Sequence, residues 1–155
     1  MTDVSLEVTT DRERFDEDLI FKFLHEDAYW CKGISREPFS RALHNSTCFA
    51  ALEGSAQVGF ARVVSDYATF AYLCDVFVVP SHRHRGVGKA LMRAVLDHPS
   101  VKGLRRVVLV TLDAHGLYDR FGFGPIPNVE RWMAIEVTPH EAYEQDPPPP
   151  WPPRR

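Results

Sequence analysis

The chain has 155 residues, enough for one domain with a substantial core, and at 45% hydrophobic and 25% charged it has the composition of an ordinary globular protein. A net charge of −3 offers no overall basic field for nucleic acid, and no apolar run approaches the roughly 20 residues of a membrane span. The opening Met-Thr-Asp-Val-Ser lacks a basic region and an apolar segment, so no secretion signal is expected. Cys31, Cys48 and Cys74 are odd in number and widely spaced, with no CxxC pair and no disulfide framework. Buried thiols in a reducing cytoplasm are the expectation.

Ser5–Thr9 reads as a short first strand. Thr10 or Asp11 can cap a helix to about Leu24, with Phe15, Leu19, Ile20, Phe23 and Leu24 as a wide apolar stripe. The segment His25–Gly33 is too aromatic for a solvated loop. Ser35 can cap a second helix that tolerates Pro38 in its first turn and ends near Asn45. Thr47–Leu52 and Gln57–Val64, joined by a turn with Gly54, form a predicted β-hairpin. Phe70–Val79 is the next strand, so three consecutive antiparallel strands are expected. A helix from Val87 to about Asp97 leads to a strand at Arg105–Thr111, the crossover pattern that gives local parallel pairing. A short helix stopped by Gly122 and a final strand at Trp132–Val137 complete the expected domain, residues 1–140. Residues 141–155 are set apart as a proline-rich tail, polyproline II in character from Asp146 onward.

The stretch Asp75–Leu91 organises the rest. Val76–Val79 is a short β-branched run ended by Pro80, and Val87, Ala90, Leu91, Ala94 and Val95 then recur at helical period. Gly86 and Gly88 therefore sit at a helix start, flanked by Arg83, Arg85 and Lys89. Unpaired N–H groups and partial positive charge make such a start attractive to phosphate. A P-loop does not fit, because Arg83 occupies its glycine position and Ala90 replaces its hydroxyl. A dinucleotide fingerprint does not fit either, because Leu91 stands at its third glycine. The bland alternative is a turn and a solvated helix start. His82 and His84 flank Arg83, but nothing at ligand spacing completes a metal set, and no metal is expected.

Arg83-x-x-Gly86-x-Gly88, after a strand ending in Val-Pro, resembles the coenzyme A signature of the GCN5-related N-acetyltransferases. A second segment, Thr111–Phe123, matches that family's Asn-x-x-Ala-x-x-x-Tyr-x-x-x-Gly-Phe in spacing through Ala114, Tyr118, Gly122 and Phe123. Small bacterial acetyltransferases that carry Tyr-Leu-x-Asp-Val-Phe-Val and Asp-Ala-His-Gly-Leu-Tyr look similar as well. The resemblance covers roughly residues 5–137. It departs at Thr111, where the family often has Asn; a hydroxyl replaces an amide there.

The resemblance implies an α/β (α+β) domain. Its central sheet is mixed, mostly antiparallel and flanked by helices, with strands that splay apart at the acetyl-CoA site. It implies an acetyltransferase that moves acetyl directly from acetyl-CoA to an amine. The cofactor contacts would be Phe77, Val78, Val79, Arg83, His84, Arg85, Gly86, Val87, Gly88, Lys89, Ala90, Thr111 and Tyr118. Tyr118 would be the general acid for the departing thiolate.

Asp75 is a base candidate, because a carboxylate in an apolar strand is costly unless it has work or a partner. His115 is a second one. Tyr29, Trp30, Phe39, Tyr67, Phe70 and His115 are expected around the acceptor. Each of these residues equally suits a packing role. The expected enzyme is cytoplasmic, a monomer or homodimer, acting on a small-molecule primary amine without nucleic acid or membrane partners. The competing readings are a non-catalytic CoA-binding sensor or interaction module, and acetylation of a protein or peptide amine.

Overall fold

A computed structural model describes residues 5–145, 147 and 150–153. In chain order the elements are β1 (Leu6–Thr9), α1 (Glu17–Lys22), α2 (Arg36–His44), β2 (Thr47–Glu53), β3 (Ala56–Ser65), β4 (Phe70–Val78), α3 (Val87–Asp97), β5 (Arg106–Val108), α4 (His115–Asp119) and α5 (Pro139–Tyr143). They fall into two compact units, Met1–Asp16 with Leu43–Pro125, and Glu17–Ala42 with Ile126–Arg155. Among the described residues no helix is long and apolar enough to cross a membrane.

The first unit is built on one five-stranded sheet in the order β1-β2-β3-β4-β5. The first three pairings are antiparallel, and β4 with β5 is parallel. This is the expected mixed, mostly antiparallel sheet, and α3 is the crossover that makes the last pair parallel. The apolar stripe of α3, Val87, Leu91, Met92 and Val95, is fully buried in one cluster with Phe49, Ala51, Ala61 and Val63 of the sheet. The helix can lie this close because β3 carries Gly59. A Cβ there would stand 3.0 Å from Val87 Cγ1 and 3.2 Å from the Phe77 carbonyl oxygen.

Three local departures have physical causes. The long first helix breaks in two: Asp11 caps only a 3₁₀ turn at Arg12–Arg14, and α1 starts afresh at Glu17. In between, Phe15 packs edge-on to Phe60 with centroids 6.3 Å apart, and Gln57 Oε1 accepts the Asp16 N–H at 2.7 Å. These contacts outweigh helix continuity. β5 spans Arg106–Val108 rather than Arg105–Thr111, because only Phe70–Tyr72 of β4 pair with it. Trp132–Val137 is not a strand: its residues are strand-prone, but the segment joins no ladder among the described residues, and pairing in a sheet is what makes a strand.

In the second unit α1 runs into a wider π-helical turn at Phe23–Asp27, closed by the Ala28 N–H on the Phe23 carbonyl. Ile20, Leu24, Ala28, Ile34 and Phe39 are buried there, and Phe21 meets Phe39 edge-on at 5.3 Å. The boundary expected at 141 falls inside α5, whose start is set by a capping box between Thr138 and Glu141. The polyproline expectation rests largely on 146, 148, 149, 154 and 155, which lie outside the described residues.

Candidate active site

The glycines of Arg83–Lys89 form an open helix start, as their spacing suggests. Gly86 is the N-cap of α3 at φ +84°, a left-handed conformation that suits glycine, and it supplies no side-chain cap. The first N–H groups of α3, those of Val87, Gly88 and Lys89, are left to an outside acceptor, and the first turn holds no acidic residue. A Cβ on Gly86 would meet nothing within 4 Å, so the approach is clear. On Gly88 it would lie 3.5 Å from Leu117 Cδ2, which puts α4 directly beside this helix start.

The cations around the cradle are not equivalent. Arg85 donates to Glu53 Oε1 at 2.9 Å, and His82 meets Glu53 Oε2 at 2.6 Å. The His82 hydrogen bond and the Arg85 charge hold the Glu53 carboxyl below its usual range. Arg83 uses Nε on the Val78 carbonyl, which ties the turn to the end of β4. Exposed Lys89 and the terminal nitrogens of Arg83 have no acidic partner among the described residues. His84 sits in the turn at φ +61°.

The floor of the site is the far half of β4. Its ladder with β5 ends at Tyr72–Val108, so Leu73–Val78 run on without a β5 partner. Here Phe77 is buried, while Val78 and Val79 are half-buried. A bulge starts the divergence. Phe60 faces Phe77 and Arg62 faces Cys74, so two residues of β4, Asp75 and Val76, stand opposite Ala61 alone. Asp75 takes φ +52°. Its Oδ2 accepts from Arg62 Nε at 2.7 Å, and Arg62 Nη1 donates to Ser46 Oγ at 3.0 Å. The two charged side chains are only 16% and 9% exposed. Burial works against the Arg62 charge, but Asp75 outweighs it and holds the guanidinium above its usual range. Arg62 did not stand out in the sequence. The available signal was a lone cation in one apolar strand and a lone carboxylate in the next. Cys74, pushed up to about 12 mainly by burial, is a protonated core thiol and no nucleophile.

α4 presents Tyr118. Thr111 Oγ1 accepts the Ala114 N–H at 3.0 Å and caps the turn into this helix, so the hydroxyl at the position of the family's Asn has a backbone role. The Tyr118 ring is 8% exposed and meets Phe123 edge-on at 5.9 Å. Its hydroxyl has no hydrogen-bond partner among the described residues, yet it is not sealed off from solvent. Burial, with the Asp113 charge nearby, pushes the phenol up to about 12. His115 lies exposed at the start of the same helix, and Ala90 is half-buried in α3.

The acceptor candidates fall into the two units. Tyr67 and Phe70 flank the β3–β4 turn of the first, both exposed, with Tyr67 Oη bonded to Thr47 Oγ1 at 2.5 Å. Tyr67 and Thr47 border a depression of about 300 Å³ with His44, Asn45, Ser46, Val63 and Ser65. That depression lies toward the Phe70 end of β4, away from the cradle at its Val78 end. Tyr29 and Trp30 are exposed in the second unit and stacked edge-on at 5.1 Å; Phe39, 1% exposed, is core there.

The start of α3 is thus uncapped and open, with cations on the turn that leads into it. Beside it β4 runs on past its parallel pairing with β5, and α4, whose Leu117 lies against Gly88, carries the un-ionised phenol of Tyr118. The sequence profile of the Acetyltransferase (GNAT) family matches residues 12–123. The crystal structure of a "putative acetyltransferase belonging to the gnat family" from Xanthomonas campestris pv. campestris is 49% identical. It superposes with a TM-score of 0.84 over 87% of this chain and 95% of that one. The thialysine N-epsilon-acetyltransferase of Mus musculus is 28% identical over 122 residues, 72% of each chain. A GNAT family acetyltransferase from Elizabethkingia anophelis, crystallised with acetyl-CoA bound, shares the fold at TM-score 0.56 and 16% identity, over 80% of this chain and 78% of that one. With the profile spanning most of the chain and the fold shared with a solved GNAT structure at 49% identity, this chain belongs to the GNAT family of acetyltransferases.

Proposed function

We propose that this protein transfers the acetyl group of acetyl-CoA directly to a primary amine on a small molecule. The observation that carries the reading is the open start of α3 beside the β4–β5 gap, with Tyr118 on the adjoining helix. The N–H groups of Val87, Gly88 and Lys89 suit the pyrophosphate, and Arg83 and Lys89 add charge. The backbone of Phe77–Val79 suits an extended pantetheine arm. Bound in this way, acetyl-CoA supplies an activated thioester, and the chain's own part is largely positioning, which in ideal cases lowers a barrier by about 7–11 kcal/mol.

Bond making is from the amine nitrogen to the acetyl carbon, bond breaking is at carbon–sulfur, and the amine proton ends on sulfur. Tyr118 is un-ionised at neutral pH. Giving its proton outright to a thiolate of ordinary pKa near 8.5 would run uphill by about 5 kcal/mol. Its role is therefore hydrogen-bond donation to the sulfur as charge develops there. Asp75, engaged by Arg62, anchors the bulge, and exposed His115 is the base candidate left on α4. The thialysine enzyme's name points to a primary alkyl amine as the acceptor class. The three free cysteines suit a reducing compartment, in keeping with a cytoplasmic enzyme.

The test is thiol release from acetyl-CoA across a panel of primary alkyl amines, diamines, amino acids and lysine peptides. Amine-dependent release with small molecules is the expected result. Tight acetyl-CoA binding with no amine-dependent release would make the protein a binding module, and turnover confined to peptides would overturn the acceptor class.

A further inference from the structure

The turn that carries the cradle cations is held from outside by Glu53. This residue ends β2, paired with Leu6 of β1 on one side and Ala56 of β3 on the other, so two ladders fix its backbone. Its two carboxylate oxygens reach different parts of the turn. Oε2 meets His82 Nε2 at 2.6 Å, and Oε1 accepts from Arg85 Nη2 at 2.9 Å. Ser81 Oγ meets the other ring nitrogen of His82 at 2.8 Å, so the imidazole is held from both sides. Between the two held residues lies His84 at φ +61°, a left-handed conformation that persists in a non-glycine residue only when its surroundings impose it. Gly86, also left-handed, follows and starts α3. Fold stability does not account for the bridge. The Glu53 side chain is 27% exposed and that of Arg85 53%, and exposed ion pairs add little to folding.

We propose that Glu53 is a positioning residue for the acetyl-CoA site: by clamping His82 and Arg85 it holds the turn in the conformation that aims the first N–H groups of α3 at the pyrophosphate. This rests on that helix start being the pyrophosphate site. Two effects of Glu53 oppose each other there. Its charge repels a phosphate and draws Arg85 away from it, which weakens binding. Its clamp orders a strained turn before the ligand arrives, which strengthens binding. The clamp is the larger effect. Arg85 already meets the carboxylate charge, with His82 hydrogen-bonded beside it, so little of that charge is left to act on a phosphate. A freed Arg85 would be a solvated cation screened by salt. Without the clamp, only part of the population keeps the left-handed conformations at His84 and Gly86, and apparent affinity falls by that fraction.

Calorimetry with acetyl-CoA, and amide hydrogen exchange of the unliganded protein read by NMR, test this. Glu53→Ala should raise the acetyl-CoA dissociation constant about tenfold, as when about one turn in ten stays competent. Glu53→Asp keeps the charge but loses the span by one methylene, so it should weaken binding similarly, and it serves where the alanine variant fails to fold. Glu53→Gln keeps the length, an acceptor for Arg85 and a donor for the His82 ring, and should bind within about threefold of wild type. In the unliganded alanine and aspartate variants the amides of His82 and Ala90, bonded to the Val79 and Gly86 carbonyls, should exchange faster, while those deeper in α3 keep their protection. The inference is overturned by an aspartate or alanine variant that binds as wild type or tighter, by a glutamine variant as weak as alanine, or by exchange that is unchanged or faster throughout α3. A wild type without affinity for acetyl-CoA overturns instead the reading of the helix start as a pyrophosphate site, and the exchange result still decides the clamp.

Discussion

Replacing Asp75 by asparagine removes one charge and little else. The amide is nearly isosteric, and asparagine tolerates the left-handed conformation that Asp75 holds at φ +52°. What remains is an Arg62 guanidinium, 16% exposed, that has lost the carboxylate 2.7 Å away. Breaking a buried pair from one side costs about 3–5 kcal/mol, because the other charge stays buried uncompensated. For a chain of this size, at about 2–4 °C per kcal/mol, the melting temperature should fall by about 6–20 °C. Adding Arg62→Met should recover much of the loss, since two well-packed neutral groups often replace a buried pair at little net cost. Urea and thermal unfolding of the two single variants and the double variant close the cycle. An Asp75→Asn protein that melts within about 2 °C of wild type would refute the argument that the pair is desolvated. The same series separates two roles for Asp75: a residue acting only as a base would lose turnover and leave stability untouched.

Tyr118→Phe keeps the ring against Phe123 and removes one donor, so turnover should fall about 10²–10³-fold while the acetyl-CoA dissociation constant changes little; steady-state kinetics within a few-fold of wild type would reduce Tyr118 to packing. Gly88→Glu should fold, since its Cβ meets Leu117 at an ordinary 3.5 Å and a carboxylate suits a helix start, but it should abolish acetyl-CoA binding in calorimetry by opposing the pyrophosphate. Asp66 Oδ1 accepts the N–H groups of Ala68, Thr69 and Phe70, and Oδ2 the Thr69 hydroxyl, which together hold its carboxyl far below the usual range. A lowered carboxyl stabilises the fold above its unfolded pKa of about 4 and loses that contribution as pH falls toward the folded value. Melting curves of Asp66→Asn should therefore decline less steeply than wild type below about pH 4, and equal slopes would count against this turn as an acid-sensitive anchor.

The apolar periods of α3 and of the strands on either side of it, the two glycines at its start and the spacing of Tyr118 were all legible in the chain. Each depends on neighbours within a few residues, where backbone preference and side-chain period act directly. The order of strands followed as well, because one crossover helix permits parallel pairing and short turns do not. Other features depended on contacts made at a distance. Arg62 and Asp75 are 13 positions apart and become partners only when β3 and β4 register around a bulge. Arg85, expected among the cradle cations, is shared with Glu53 from 32 positions away. β5 stops where its pairing with β4 ends, and the strand-prone Trp132–Val137 joins no ladder among the described residues, since a strand is completed by its partner and not by its own residues. Local pattern determined which segments could form each element; pairing, burial and the loss of water between distant charges decided which of them did, and which side chains were left for the site.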